Sequence, residues 1–175
     1  MRLVIALFAA ALLGACASQP VLRRPEPPLA AVPAVDVDFY LGRWYEIARY
    51  PNGFQKECEA VTATYSRRED GLIKVVNACG AIEGSRAREA VGRAKIVDPQ
   101  SNAKLKVSFF GPFWGDYWVV DLKEDYSRAI VGEPSGRYLW VLARAPAVTP
   151  DERADILATL DRLGYPAEPL HFTQH

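Results

Sequence analysis

The sequence predicts an all-β domain: an eight-stranded, up-and-down antiparallel barrel with one C-terminal α-helix packed outside it. Three observations lead there. Short runs of β-branched and aromatic residues recur at near-regular intervals between turn residues. Aromatic residues are plentiful, with 4 Trp, 8 Tyr and 7 Phe in 175 residues, and these types favour strands. One convincing helical repeat follows the last of the runs. The length fits one domain large enough to close around a core.

Composition also excludes functions. Basic and acidic residues balance at 21 each, so there is no electrostatic reason to expect nucleic acid as a partner. The 2 histidines, His171 and His175, both stand at the C-terminus, leaving a histidine triad or zinc site inside the domain little to be built from. The sequence shows no phosphate loop, metal-ligand cluster or nucleophile motif, and no cofactor is expected.

Met1 and Arg2 make a short basic start, and residues 3–13 an apolar run. That run is too short to cross a bilayer but suits a secretory signal over residues 1–15. Leu13-Gly14-Ala15-Cys16 resembles the lipobox of bacterial lipoproteins. The resemblance implies that Cys16 is acylated and becomes the first residue of a lipid-anchored protein. With several chains attached, and about 0.8 kcal/mol per buried CH₂, such an anchor is nearly permanent. The absence of Asp after Cys16 resembles lipoproteins sorted to the outer membrane. Residues 16–35 are rich in Pro and Ala and read as an extended tether, with the folded domain at residues 36–175.

Within the domain the strand-like runs are residues 44–50, 61–67, 73–78, 89–97, 104–110, 117–122, 128–132 and 138–144. Residues 68–71, ending Asp70-Gly71, read as a hairpin turn, and Asp98-Pro99 ends the fourth run. The fifth alternates Leu105, Val107 and Phe109 against Lys104, Lys106 and Ser108. A meander of this kind must cover its edges or close. The helix follows Thr149 as N-cap, with Pro150 at its first position and Asp151 and Glu152 in its first turn. Ile156, Leu157, Leu160 and Leu163 form its apolar stripe, Gly164 ends it, and residues 170–173 suit a last short strand.

Gly42-Arg43-Trp44 at the start of the first strand resembles the first lipocalin signature. Asp125-Tyr126, between the sixth and seventh strands, resembles the second, and Arg144 after the eighth resembles the third. Trp-Tyr-Glu-Ile-Ala-Arg and Lys-Val-Ser-Phe-Phe-Gly-Pro-Phe look specifically like the bacterial, outer-membrane lipoprotein type, whose animal counterpart is apolipoprotein D. The resemblance covers residues 36–174. It implies a barrel whose closed end is sealed by Arg144 lying on the Trp44 ring, a cation–π pair. It also implies a carrier of fatty acids, lysophospholipids or similar amphiphiles, serving transport, storage or envelope maintenance.

A hairpin centred near Arg68 and Glu69 sets Cys58 opposite Cys79, within disulfide reach in an oxidising compartment. The rival is a catalytic thiol. Alternation from Trp44 and Arg144 directs Glu46, Ala48 and Tyr50 inward, with Tyr138, Trp140 and Leu142 on the last strand. The same phase turns in Val61, Ala63 and Tyr65, then Val75 and Asn77. It also turns in Ala90, Val107, Phe109, Tyr117 and Val119. Together they form the candidate ligand-binding set, in which small residues leave room and aromatics give contact area. Buried Glu46 needs a partner: an inward arginine, Arg93 if the phase of its strand differs, or else a ligand ammonium. The aromatic loop at residues 109–115 suits a lip for ligand, a membrane-touching edge or a homodimer contact. The rivals to a carrier are an interaction lipoprotein with a filled barrel and a lipid-modifying enzyme on the same fold. An internal cavity under about 300 Å³ would favour the filled barrel.

Overall fold

The strand-forming runs become strands within two residues of the expected bounds, because each is stopped by the turn residues that flank it. The computed structural model describes residues 19–80 and 87–175. The signal at residues 1–15 and Cys16 lie outside the described residues. In chain order the elements are α1 (Val37–Tyr40), β1 (Gly42–Arg49), β2 (Glu59–Arg67), β3 (Ile73–Gly80), β4 (Arg88–Ile96) and β5 (Lys104–Ser108). They continue with β6 (Gly115–Leu122), β7 (Arg128–Gly132), β8 (Leu139–Ala143), α2 (Pro150–Arg162) and β9 (His171–Phe172).

Every strand from β1 to β8 pairs antiparallel with its chain neighbour, and β1 also pairs with β8, which closes the barrel. β1 meets β2 only through Gly42, Arg43, Trp44 and Tyr45. Beyond that point the two splay, and β9 fills the gap by pairing with Ala48 and Arg49. Closure leaves the main sheet without an open edge.

Two apolar clusters result, one on each side of the sheet. Trp44, Ala63, Tyr65, Val75, Ala94, Leu105, Val119, Val131 and Leu142 fill the inside. Ile47, Ile130, Val141, Ile156 and Leu160 pack α2 onto the outside. Thr149 caps α2 with a full capping box: its hydroxyl accepts from Glu152 N–H at 3.2 Å, and the Glu152 carboxylate accepts from Thr149 N–H at 2.7 Å. Arg128 ties α2 to the wall through Asp155 at 2.7 Å.

Three features depart from the expectations. The short α1 was not foreseen, since four residues carry no periodicity; Asp36 caps it by accepting from Asp38 N–H at 2.9 Å. The Pro/Ala-rich segment does not stand away from the barrel. Leu22 and Arg23 N–H donate to Gly136 O, Arg24 to Gly164 O, Val32 to Val119 O and Val35 to Ser101 O, so the segment runs along the wall and its last residues, Ala31, Val32 and Val35, pack with the inner cluster. Leu22 and Leu29 pack against the outer cluster, giving that stretch apolar contacts that its composition alone does not suggest.

The hairpin register is the third. Tyr65 pairs with Val75 and Ser66 with Lys74, which centres the turn on Asp70 rather than on Arg68 and Glu69. Cys58 and Cys79 are nonetheless joined in a disulfide, with Cα atoms 5.4 Å apart. A bulge between Glu59 and Thr62, with Ala60 at φ 46°, moves the register by one residue in that direction. Gly80 permits it, since a Cβ there would sit 2.6 Å from the Ala60 Cβ. The bridge closes a separation of 21 residues and contributes about 3 kcal/mol on the chain-entropy argument.

Candidate functional site

The closed end is built from the three signature segments. Trp44 is wholly buried and donates its indole N–H to Tyr40 O at 2.8 Å. The Arg144 guanidinium lies over its ring at 3.8 Å from the centroid. The same guanidinium donates to the carbonyls of Arg43 at 2.8 Å, Phe39 at 2.6 Å and Leu41 at 2.9 Å, capping the end of α1. Gly42 holds a φ of +93°, where a side chain would be strained and a Cβ would lie 3.4 Å from Arg144 Nη1. Ser127 N–H donates to Asp125 at 2.9 Å, and the Tyr126 hydroxyl accepts from Asp36 N–H at 2.8 Å.

Above this plug lie three phenols. The Tyr117 hydroxyl is 2.9 Å from that of Tyr40 and 2.9 Å from that of Tyr65. Burial pushes the Tyr65 phenol up to about 12 and raises Tyr40 and Tyr117 further. Tyr50 and Tyr165, under α2, are raised by burial as well. The unfolded chain ionises these phenols near the ordinary value of 10.0, so above it the unfolded state binds fewer protons and is favoured. Their contribution is intact below pH 10 and is lost progressively as pH rises above it, for Tyr65 by about 12. Ultraviolet difference titration should therefore show five of the eight tyrosines ionising late, together with loss of near-ultraviolet circular dichroism.

The first strand corrects the expected phase. Glu46 pairs with Leu142 but Ala48 with Val141, so a bulge at Ile47 turns every later side chain of β1 over. Ala48 and Tyr50 therefore face outward. Ala48 packs in the outer cluster, and Tyr50 donates its hydroxyl to Pro166 O at 2.8 Å with its ring 5.8 Å from that of Tyr165. In their place Arg49 turns inward, opposite Trp140.

Arg49 is the partner of Glu46, with Nη1 to Oε1 at 2.6 Å and both side chains almost fully buried. Arg93 is not: it pairs across to Ser108 on the outer face and lies 5.4 Å from the Trp114 ring. The Glu46 carboxylate also accepts from the Thr173 hydroxyl at 2.6 Å and from Gln55 Nε2 at 2.7 Å. Gln55 Oε1 in turn accepts from Trp140 Nε1 at 2.8 Å and Asn52 Nδ2 at 2.8 Å. This network occupies the place where β1 and β2 separate and β9 enters. It satisfies Glu46 without a ligand ammonium.

The other expected lining residues fall on the inner face. Ala63, Tyr65, Val75, Val107, Phe109, Tyr117 and Trp140 belong to the interior cluster or pack against it. Val61 is buried, and Asn77 and Ala90 pair in line with Ala63. Tyr138 stacks on Trp140 with centroids 5.9 Å apart, and Phe54 lies 5.8 Å from Tyr138. Phe54, Gln55 and Arg49 were not foreseen: the first two stand in a loop without periodicity, and the third is hidden by the bulge.

The lumen has two halves. At the floor, Tyr40, Tyr65, Ile73, Leu105, Tyr117 and Val119 leave a cavity of about 20 Å³, room for little more than one water. Higher up, Asn77, Phe109, Tyr138 and Trp140 point inward yet are only half-buried, and Ala90 is exposed. Inner-face residues that stay accessible mark an open cup. The Asn77 Oδ1 is buried there without a hydrogen-bond partner.

A closed eight-stranded barrel, a Trp–Arg floor and an accessible cup define a lipocalin, and residues 35–175 match the Lipocalin-like domain. The chain belongs to the lipocalin family, whose members bind small hydrophobic ligands. It is 40% identical over 167 residues to the outer membrane lipoprotein Blc of Escherichia coli (strain K12), covering 94% of this chain and 91% of that protein. Temperature-induced lipocalin-1 of Arabidopsis thaliana is 37% identical over 160 residues, covering 83% and 82%. Apolipoprotein D of Macaca fascicularis is 33% identical over 160 residues, covering 85% and 75%. Insecticyanin of the tobacco hornworm Manduca sexta shares the fold, with a TM-score of 0.67 at 19% identity over 85% of both chains. Its relatives place the protein among the outer-membrane lipoproteins.

Proposed function

We propose that the protein is a non-enzymatic carrier, anchored through acylated Cys16 after removal of residues 1–15, that binds a fatty acid, lysophospholipid or similar single-chain amphiphile. The observation that carries this reading is the accessible inner face of the upper barrel, where Ala90, Phe109, Tyr138 and Trp140 await cover. The hydrocarbon chain lies against Val75, Val107, Phe109 and Trp140, and the polar end reaches toward the mouth. Val61, Ala63, Tyr65 and Tyr117 line the deeper wall.

A second reading, a barrel filled by its own side chains, is favoured by the packed floor and its cavity of about 20 Å³. Tryptophan fluorescence titration with a lysophospholipid separates the two. The carrier gives a saturable change, and Ala90→Trp, which fills the cup without disturbing the core, weakens binding by about tenfold or more, roughly 1.4 kcal/mol. A filled barrel gives no saturable change in either protein.

A further inference from the structure

The described chain begins at the open end of the barrel. Gln19 donates its side-chain amide to Pro51 O, and its carbonyl accepts from Arg137 Nε at 2.8 Å. Pro51 lies in the loop joining β1 to β2 and Arg137 in the turn joining β7 to β8, both at the mouth, opposite Trp44 and Arg144. Cys16 stands three residues earlier, a span of at most about 11 Å even when fully extended. An acyl anchor there cannot be far from the rim.

The same rim exposes three large aromatics. Phe54 is 63% exposed in the β1–β2 loop, and Phe110 and Phe113 are 79% and 77% exposed in the β5–β6 loop. The closed end exposes one, Phe39, whose ring packs 5.6 Å from Tyr126. Its turns otherwise carry the surface ion pairs Arg67–Asp38 and Arg68–Asp70, which hydration holds in water. We infer that the mouth of the barrel faces the bilayer that holds its anchor, with Phe54, Phe110 and Phe113 seated in the lipid interface. The inference rests on the lipoprotein reading. Near the mouth Lys56 and Arg88 are offset by Glu57 and Glu89, so aromatic burial rather than charge holds the contact, and it resists salt. The cup then exchanges an amphiphile directly with the membrane instead of through water.

The test uses the full, acylated chain in vesicles of phosphatidylethanolamine and phosphatidylglycerol. A nitroxide is attached at Gly53→Cys, where an added Cβ meets nothing within 4 Å, or at Glu69→Cys on the closed end. The expected result is that the label at 53 collides with oxygen and is shielded several-fold from an aqueous nickel reagent, while the label at 69 is not shielded. Replacing Phe54, Phe110 and Phe113 together by Ser should remove the shielding while the protein still floats with the vesicles. Flotation with the label at 53 open to nickel, or with the label at 69 shielded, overturns the orientation and leaves the anchor standing. Spin–spin broadening between labels at 53 would mean that a second copy covers the rim, which also overturns it. Failure of the mature chain to float overturns the anchor and the orientation together.

Discussion

Trp44→Ala is expected to destabilise the protein by about 3–5 kcal/mol, seen as a lower urea midpoint with an unchanged slope. Trp44 has no exposed surface, packs with Tyr40 at 5.0 Å between centroids, and is the platform for Arg144 at 3.8 Å. Its loss opens a void at the floor and strands a guanidinium that is held there to close the end of the barrel. Arg144→Lys separates charge from shape. A lysine keeps the cation but cannot stack its plane on the indole while donating to three carbonyls, so it too should lose stability, though less than the Trp44 variant. Full retention of stability in Arg144→Lys would show that charge alone seals the floor.

Glu46→Ala is the second large effect, about 3–5 kcal/mol, because it leaves the buried Arg49 cation without its anion. The Thr173 and Gln55 hydrogen bonds to the carboxylate go with it, loosening β9 where it bridges β1 and β2. Replacing both ends of the pair, Glu46→Leu with Arg49→Met, should recover most of the loss, since the penalty lies in the unpaired charge rather than in the missing attraction. Thermal unfolding of the two single variants and the double variant measures this. A double variant as unstable as Glu46→Ala would mean that the wider network, not the pair, holds this part of the wall.

What the sequence discloses here follows the physics of each signal. Alternation and turn residues are local, so the eight strands and α2 are legible, and the Gly-x-Trp, Asp-Tyr and Arg144 segments mark the closed end. Bulges are not local signals. Nothing in Glu46-Ile47-Ala48 announces that Ile47 is the extra residue, and that one step exchanges Ala48 and Tyr50 for Arg49 on the inner face. The disulfide was legible from the spacing of Cys58 and Cys79, but the route to it was not: the hairpin register is displaced, and the bulge at Ala60 recovers only one residue of the shift. Residues 19–35 show the converse. Their composition suits a free tether, yet isolated apolar side chains such as Leu22 and Leu29 and scattered backbone donors suffice to lay them on the barrel.

That last finding sets the protein to use in the decisive experiment, which should begin at Gln19 so that the strap along the wall is kept. Native mass spectrometry of this protein, purified without detergent and then offered a lysophospholipid, tests the carrier reading most directly. The expected result is one amphiphile per barrel, retained through desalting, released by solvent extraction, and largely lost in Ala90→Trp. A chain that keeps its bare mass whatever fatty acid or lysolipid is added would contradict the carrier, and would mean that the cup above the three tyrosines serves some purpose other than holding lipid.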